Sequence, residues 1–144
     1  MIKIPAPLLR EIYDQTKASY PNECCGVMVG TTDEDKTHTV HAFRVCKNLN
    51  QERARDRYDM DPLDMLRVER EFENSPWDII GIYHSHPDHP AQWSQTDFAE
   101  AHWLGCSYVI TSVEKGKAVL TNSFELTGTD ESDKQLVDEK IDVV

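Results

Sequence analysis

The stretch from Trp77 to Asp97 constrains this chain more than any other. Trp77–Tyr83 (Trp-Asp-Ile-Ile-Gly-Ile-Tyr) reads as a buried strand, preceded by the stop signal Asn74-Ser75-Pro76. A loop over His84–Trp93 follows, and the spacing then predicts a helix over Ser94–Leu104. Its entry is specified in detail. Ser94 serves as N-cap with Asp97 at N3, as in a capping box, while Trp93 and Phe98 occupy the N′ and N4 positions of a hydrophobic staple.

The rest of the chain fits around that unit. Pro5 and Pro7 suit a first helical turn, and Leu8, Leu9, Ile12, Tyr13 and Thr16 then recur at helical spacing until Tyr20-Pro21-Asn22. Cys24–Gly30 and Thr37–Cys46 read as strands joined by the acidic turn Thr31–Lys36. Asp61-Pro62 supplies an N-cap and a first-turn proline for a second helix, with Leu63, Leu66, Glu69 and Phe72 as a mixed face. Cys106–Val113 and Lys117–Leu126 read as two further strands about the turn Glu114-Lys115-Gly116. Strands interleaved with helices in the middle and hairpins at both ends predict an α/β fold, a single-domain mixed β-sheet sandwiched by helices.

Length and charge narrow the function. A chain of 144 residues fits one domain, expected over 1–128, and the acids of 129–144 predict a flexible tail or a loose surface helix. The formal net charge of −11 would repel nucleic acid and anionic membrane, so neither is the expected partner. Cys24, Cys25, Cys46 and Cys106 form no C-x-x-C pair and read as small core residues of a reducing compartment. No apolar run approaches the ~18 residues of a membrane span, and the N-terminus has no leader pattern. A cytoplasmic protein is expected.

The chemistry is concentrated in His84-Ser85-His86 and Ser94-x-x-Asp97. Side chains alternate along extended backbone, so His84 and His86 project from one face about 7 Å apart at Cα and can converge on one metal. Asp97, one turn into the helix, can add an oxygen. Two histidines and a carboxylate leave a fourth tetrahedral position open, which marks a catalytic rather than a structural site. A lone H-x-H is usually two ordinary histidines, and a lone S-x-x-D only a capping box. Both within one strand-loop-helix unit say more than either. His89 has the wrong spacing and reads as an exposed loop residue; His38, His41 and His102 read as structural.

With His84-x-His86-Pro87, seven residues, then Ser94-x-x-Asp97, the chain resembles the JAMM (MPN-plus) metalloprotease family, whose architecture is cytidine-deaminase-like. The resemblance extends to Gly81-Ile82-Tyr83 and Asp61-Pro62, spans roughly residues 2 to 126, and needs an upstream glutamate, for which Glu23 stands in the right place. It implies one Zn2+ held by His84, His86 and Asp97. It also implies Glu23 as the base that activates a zinc-bound water, and Ser94 as hydrogen-bond donor to the oxyanion. Gln92-Trp93 departs from the small residue and proline often found before the family's serine.

The chain is most similar to the short prokaryotic members. The implied activity is that of a metallopeptidase or isopeptidase acting on the C-terminal tail of a ubiquitin-like, sulfur-carrier protein. Arg53, Arg55 and Arg57 are candidates for steering an acidic carrier, against the plainer reading of a solvated loop. The alternative is a non-catalytic scaffold module; such members usually lose a ligand, and all are present here. A zinc deaminase would need H-x-E with P-C-x-x-C, and neither string occurs.

Overall fold

The computed structural model describes the backbone of residues 1–144 and every side chain but that of Val119. Proline inside the first turn starts helix α1 (Ala6–Ser19), which buries Leu9, Ile12 and Thr16. The Asp61 carboxylate accepts from the Leu63 N–H and starts α2 (Pro62–Phe72). The strands are β1 (Ile2–Ile4), β2 (Cys25–Thr32), β3 (His38–Cys46), β4 (Asp78–Pro87), β5 (Ser107–Glu114) and β6 (Lys117–Thr127), followed by β7 (Gln135–Glu139) and β8 (Ile141–Val143). They form one mixed sheet in the order β7-β6-β5-β4-β2-β3-β1-β8. The pairs β4–β5, β1–β3 and β1–β8 are parallel and the others antiparallel.

Alternation along the central strands sends side chains to two cores. Met28, Val40, Tyr83 and Val109 pack with Leu9 and Ile12 of α1 on one face. Cys25, Val27, Val29 and Ile82 pack on the other face against Val68 of α2. Gly26 lets the Tyr83 ring lie directly on the backbone, where a Cβ would stand 2.3 Å from the Tyr83 hydroxyl oxygen. The fold is thus the mixed sheet with helices on both faces that the sequence predicts. Among the described residues no helix is long and apolar enough to cross a membrane.

Four elements differ from the sequence expectation. Strand β4 runs through Pro87 rather than stopping at Tyr83, because β5 pairs with it as far as Pro87 and Val113. His84 and His86 therefore stand on a strand. The third helix, α3 (Gln95–Glu100), ends well before Leu104: Ala101 turns extended, buries its methyl group, and is followed by Trp103, which packs into the core. In α2 the sheet takes Met65, Val68 and Phe72, leaving Leu63 and Leu66 exposed.

The fourth difference is the expected loose tail. Residues 135–143 form β7 and β8, because Leu136 and Ile141 reach the two cores and the inward-turned Glu139 accepts from the Ser123 hydroxyl; the acidic composition hid those contacts. Only Lys140 separates these strands, yet they occupy opposite ends of the strand order. The sheet is therefore curled far enough around α1 for one stretch of chain to meet both edges. The Lys140 carbonyl accepts from the Ile2 N–H at 2.9 Å, and the N-terminal amine pairs with Glu139.

Candidate metal centre

Register builds the site. His84 lies opposite Cys25 across the antiparallel β2–β4 pair. One step further, the Ser85 N–H donates to the Cys24 carbonyl at 3.1 Å, and the Cys24 N–H donates to the Ser85 hydroxyl at 3.0 Å. The next step sets Glu23 beside His86. Ser85 thus points away from the histidine face, as expected, and ties the Glu23 segment to β4. Glu23 is buried, and a carboxylate oxygen of it lies within 4.8 Å of a ring nitrogen of each histidine.

Asp97 arrives from the other side. The Ser94 hydroxyl accepts from the Asp97 N–H at 3.0 Å, and the Asp97 carboxylate accepts from the Ser94 N–H at 2.9 Å, completing the capping box. Trp93 and Phe98 pack against each other with tilted rings, centroids 5.6 Å apart, as the staple requires. Its hydroxyl oxygen accepting, Ser94 keeps its own O–H proton free to donate into the cleft it lines.

Two ring nitrogens and the two oxygens of one carboxylate now converge. His84 Nε2 and His86 Nε2 are 3.0 Å apart; Asp97 lies 3.1 Å from the His86 nitrogen and 3.4 Å from that of His84. The His86 Nδ1–H donates to the Pro90 carbonyl at 2.8 Å, which leaves Nε2 with a lone pair facing the carboxylate. A proton on one of these nitrogens can bridge the pair, and a cation in its place would let both nitrogens and the carboxylate turn lone pairs to one point. Ligands at 2.0–2.1 Å about a tetrahedral metal stand about 3.3 Å apart, which matches the spacing found. Glu23 Oε1, buried without a hydrogen-bond partner, borders the same point. The residues fit a small divalent cation.

Electrostatics agree. Burial pushes the Glu23 carboxyl up to about 8, with His86 opposing it. Burial would also raise Asp97, but hydrogen bonds from both histidines, the charge interaction with His84 and the Ser94 N–H hold it well below the usual carboxylate range. Burial drives His84 down, keeping its imidazole neutral, as a ligand must be. His86 loses by burial but is lifted overall by Asp97 and the Pro90 carbonyl.

The wall around the site was not evident from sequence. Asn48 donates its side-chain amide to the carbonyls of both Glu23 (3.3 Å) and Arg57 (3.1 Å), and the Glu23 N–H is held by the Ala54 carbonyl. Tyr58 stacks on the His84 ring at 4.4 Å. The one aromatic in a polar stretch was the available signal for Tyr58; Asn48 carried none. Lys134 is also part of the support, donating to the Ala101 carbonyl at the end of α3. A cleft of about 420 Å³ opens beside Glu23, His86 and Ser94, lined also by Arg53, Arg57 and Trp93.

His89 is exposed at the rim of the cleft. His38 is buried with Nδ1 2.8 Å from the Ser107 hydroxyl, His41 stacks on Trp77, and His102 pairs with Glu131. All four cysteines are buried free thiols. Cys25 has its sulfur 3.6 Å from the Cys46 carbonyl, and burial raises its thiol.

A curled mixed sheet bearing two histidines on a central strand, with a capping-box aspartate and a buried glutamate beside them, places the chain in the JAB/JAMM class of domains. The chain belongs to the prokaryotic homologs of the JAB domain, whose family model matches residues 5–127. It is 36% identical over 92 residues to the desampylase of Haloferax volcanii, covering 64% of this chain and 63% of that protein, just under two thirds of its length. It is 30% identical over 112 residues to the CysO-cysteine peptidase of Mycobacterium tuberculosis, covering 78% and 73%. The solution structure of protein DSY2949 from Desulfitobacterium hafniense superimposes with a TM-score of 0.83 at 28% identity, covering 100% of this chain and 93% of that one.

Proposed function

We propose that this chain is a zinc-dependent hydrolase that cleaves the amide bond after the C-terminal tail of a ubiquitin-like, sulfur-carrier-type protein. The observation that carries the reading is the convergence of His84, His86 and Asp97 at 3.0–3.4 Å with the buried Glu23 at their rim. The names of the related desampylase and CysO-cysteine peptidase supply the substrate class.

His84, His86 and Asp97 would hold the ion. When bound, zinc supplies a Lewis acid that polarises a carbonyl and makes a water more acidic, and its charge favours the ionised form of the neighbouring Glu23. Glu23 then accepts the proton of the attacking water and delivers it to the leaving amine. Ser94 donates its free hydroxyl proton to the oxyanion that develops on the carbonyl. Asn48 and Ala54 fix the Glu23 backbone, while Pro90 and Tyr58 fix the two imidazoles.

The test is direct. The zinc-loaded protein is incubated with ubiquitin-like carriers bearing cysteine or short peptides after Gly-Gly, and mass loss is followed with and without chelator. Cleavage at that bond, lost with chelator and lost in a metal-retaining Glu23→Gln variant, is expected. Normal turnover by Glu23→Gln would refute the assigned base.

A further inference from the structure

Among the seven arginines, the ones near the candidate centre differ in a way that bears on what leaves the cleft. Two of them, Arg53 and Arg57, line the cleft beside Glu23. Arg44, Arg53 and Arg67 pair with Glu71, Asp56 and Asp64. Arg57 pairs with no carboxylate among the described residues. Its guanidinium donates only to the neighbouring Asp56 carbonyl at 2.9 Å. The side chain is half-buried and lines the same cleft as Glu23, His86 and Ser94.

Its position is held as firmly as that of Glu23. The Asn48 amide bridges the two residues' carbonyls, and Tyr58, the next residue, stacks on His84. A guanidinium so placed has unused N–H groups in the geometry that matches a carboxylate, and partial desolvation strengthens such a bond. In the proposed reaction Glu23 protonates the leaving amine, so the leaving group sits on the Glu23 side, beside Arg57. When the leaving group is a single amino acid, its α-carboxylate lies two bonds from that amine. When it is a lysine side chain in an isopeptide bond, no carboxylate lies there.

We infer that Arg57 is a specificity-determining residue that binds the free α-carboxylate of the departing residue, so that the site prefers a carrier tail extended by one amino acid over an isopeptide conjugate. The inference rests on the hydrolase reading and refines its substrate class.

The experiment compares a carrier ending in Gly-Gly-Cys with the same carrier bearing a C-terminal amide. Cleavage is measured on zinc-loaded wild type, and binding on the zinc-loaded Glu23→Gln variant. A charged hydrogen-bond pair predicts at least about tenfold higher kcat/KM and tighter binding for the acid. Arg57→Gln should bring the acid-to-amide ratio close to one, and Arg57→Lys should leave it intermediate. A purely structural role would lower both substrates together and leave the ratio alone. Equal handling of acid and amide by wild type overturns the inference, as does a preference that survives Arg57→Gln; the wild-type comparison decides even if a variant misfolds. If neither substrate is cut but the acid still binds tenfold tighter, the hydrolase reading fails and the carboxylate site stands.

Discussion

Glu23 lies beside His86 because the β2–β4 register carries past the start of β2: Cys25 pairs with His84, and Cys24 and Ser85 bond to each other, which sets the preceding residue, Glu23, next to His86. The proposed base therefore sits in the short connection from α1 to β2 and is placed by the register of the strand that follows it. That register holds a carboxyl in a buried place, and the cost shows in its elevated pKa of about 8.

This gives a pH prediction for the chelator-treated protein. Folded Glu23 titrates near 8, against an ordinary value of 4.5, so between those limits the folded state binds more protons than the unfolded one. Its stability contribution is fully present below pH 4.5 and is lost as pH rises through 8. Glu23→Gln lacks this loss and should be more stable than wild type at pH 9 by about 2–4 kcal/mol, with the two converging near pH 4. Denaturant melts at several pH values check it; a gap that does not widen with pH contradicts it.

Ser94 has two separable duties, as helix cap and as hydrogen-bond donor. Ser94→Ala should destabilise the protein by about 1 kcal/mol through the lost cap, while Ser94→Gly should cost only a few tenths. Both variants lack the hydroxyl proton, so both should lose about 100- to 1000-fold in kcat. Thermal melts alongside turnover distinguish the duties. A Gly variant with near-normal turnover would leave Ser94 as a cap alone.

Zinc titration of chelator-treated protein should raise the Tm, equivalent to about 2.7 kcal/mol when free metal is a hundred times its Kd. His84→Ala, His86→Ala and Asp97→Ala should abolish that response. Asp97→Ala should in addition be less stable than the histidine variants without metal, because it also dissolves the capping box. Calorimetry on the four proteins reads both effects.

Lys134 couples the C-terminal segment to the centre. Its nearly buried ammonium donates to the carbonyls of Ala101 (2.9 Å) and Ala99 (3.3 Å), pairs with Glu131 at 2.7 Å, and lies over the Phe98 ring. These contacts hold the end of the six-residue helix that presents Asp97. Lys134→Met should cost about 1–3 kcal/mol by leaving the carbonyls and Glu131 without their donor. Zinc affinity should fall severalfold with it. Unchanged zinc binding in a destabilised Lys134→Met would show that α3 holds Asp97 unaided.

What could be read from the sequence follows how locally each contact is made. His84, His86, Ser94 and Asp97 lie within one strand, loop and helix, so spacing alone brought them together. Glu23 came only from the family resemblance, since nothing in Pro21-Asn22-Glu23 marks it apart from the strand it faces. Asn48, Tyr58 and Lys134 join segments far apart in the chain and were missed. The C-terminal strands were missed for another reason: acids dominate 129–144, and the two apolar side chains that dock, Leu136 and Ile141, are too few to reveal a period of two. In α2 the sequence offered two apolar stripes, and only packing against the sheet decided that Val68, not Leu63 or Leu66, goes inside.

Residues 135–143, which form β7, Lys140 and β8, act as a clasp on a nearly closed hoop. A single cut near Gly128 would strip both rims together, baring β6 on one side and β1 on the other. Unpatched rims recruit strands from neighbouring molecules. A nicked preparation should therefore turn sticky, forming multimers, while the histidines on β4, deep in the middle of the sheet, are still in place.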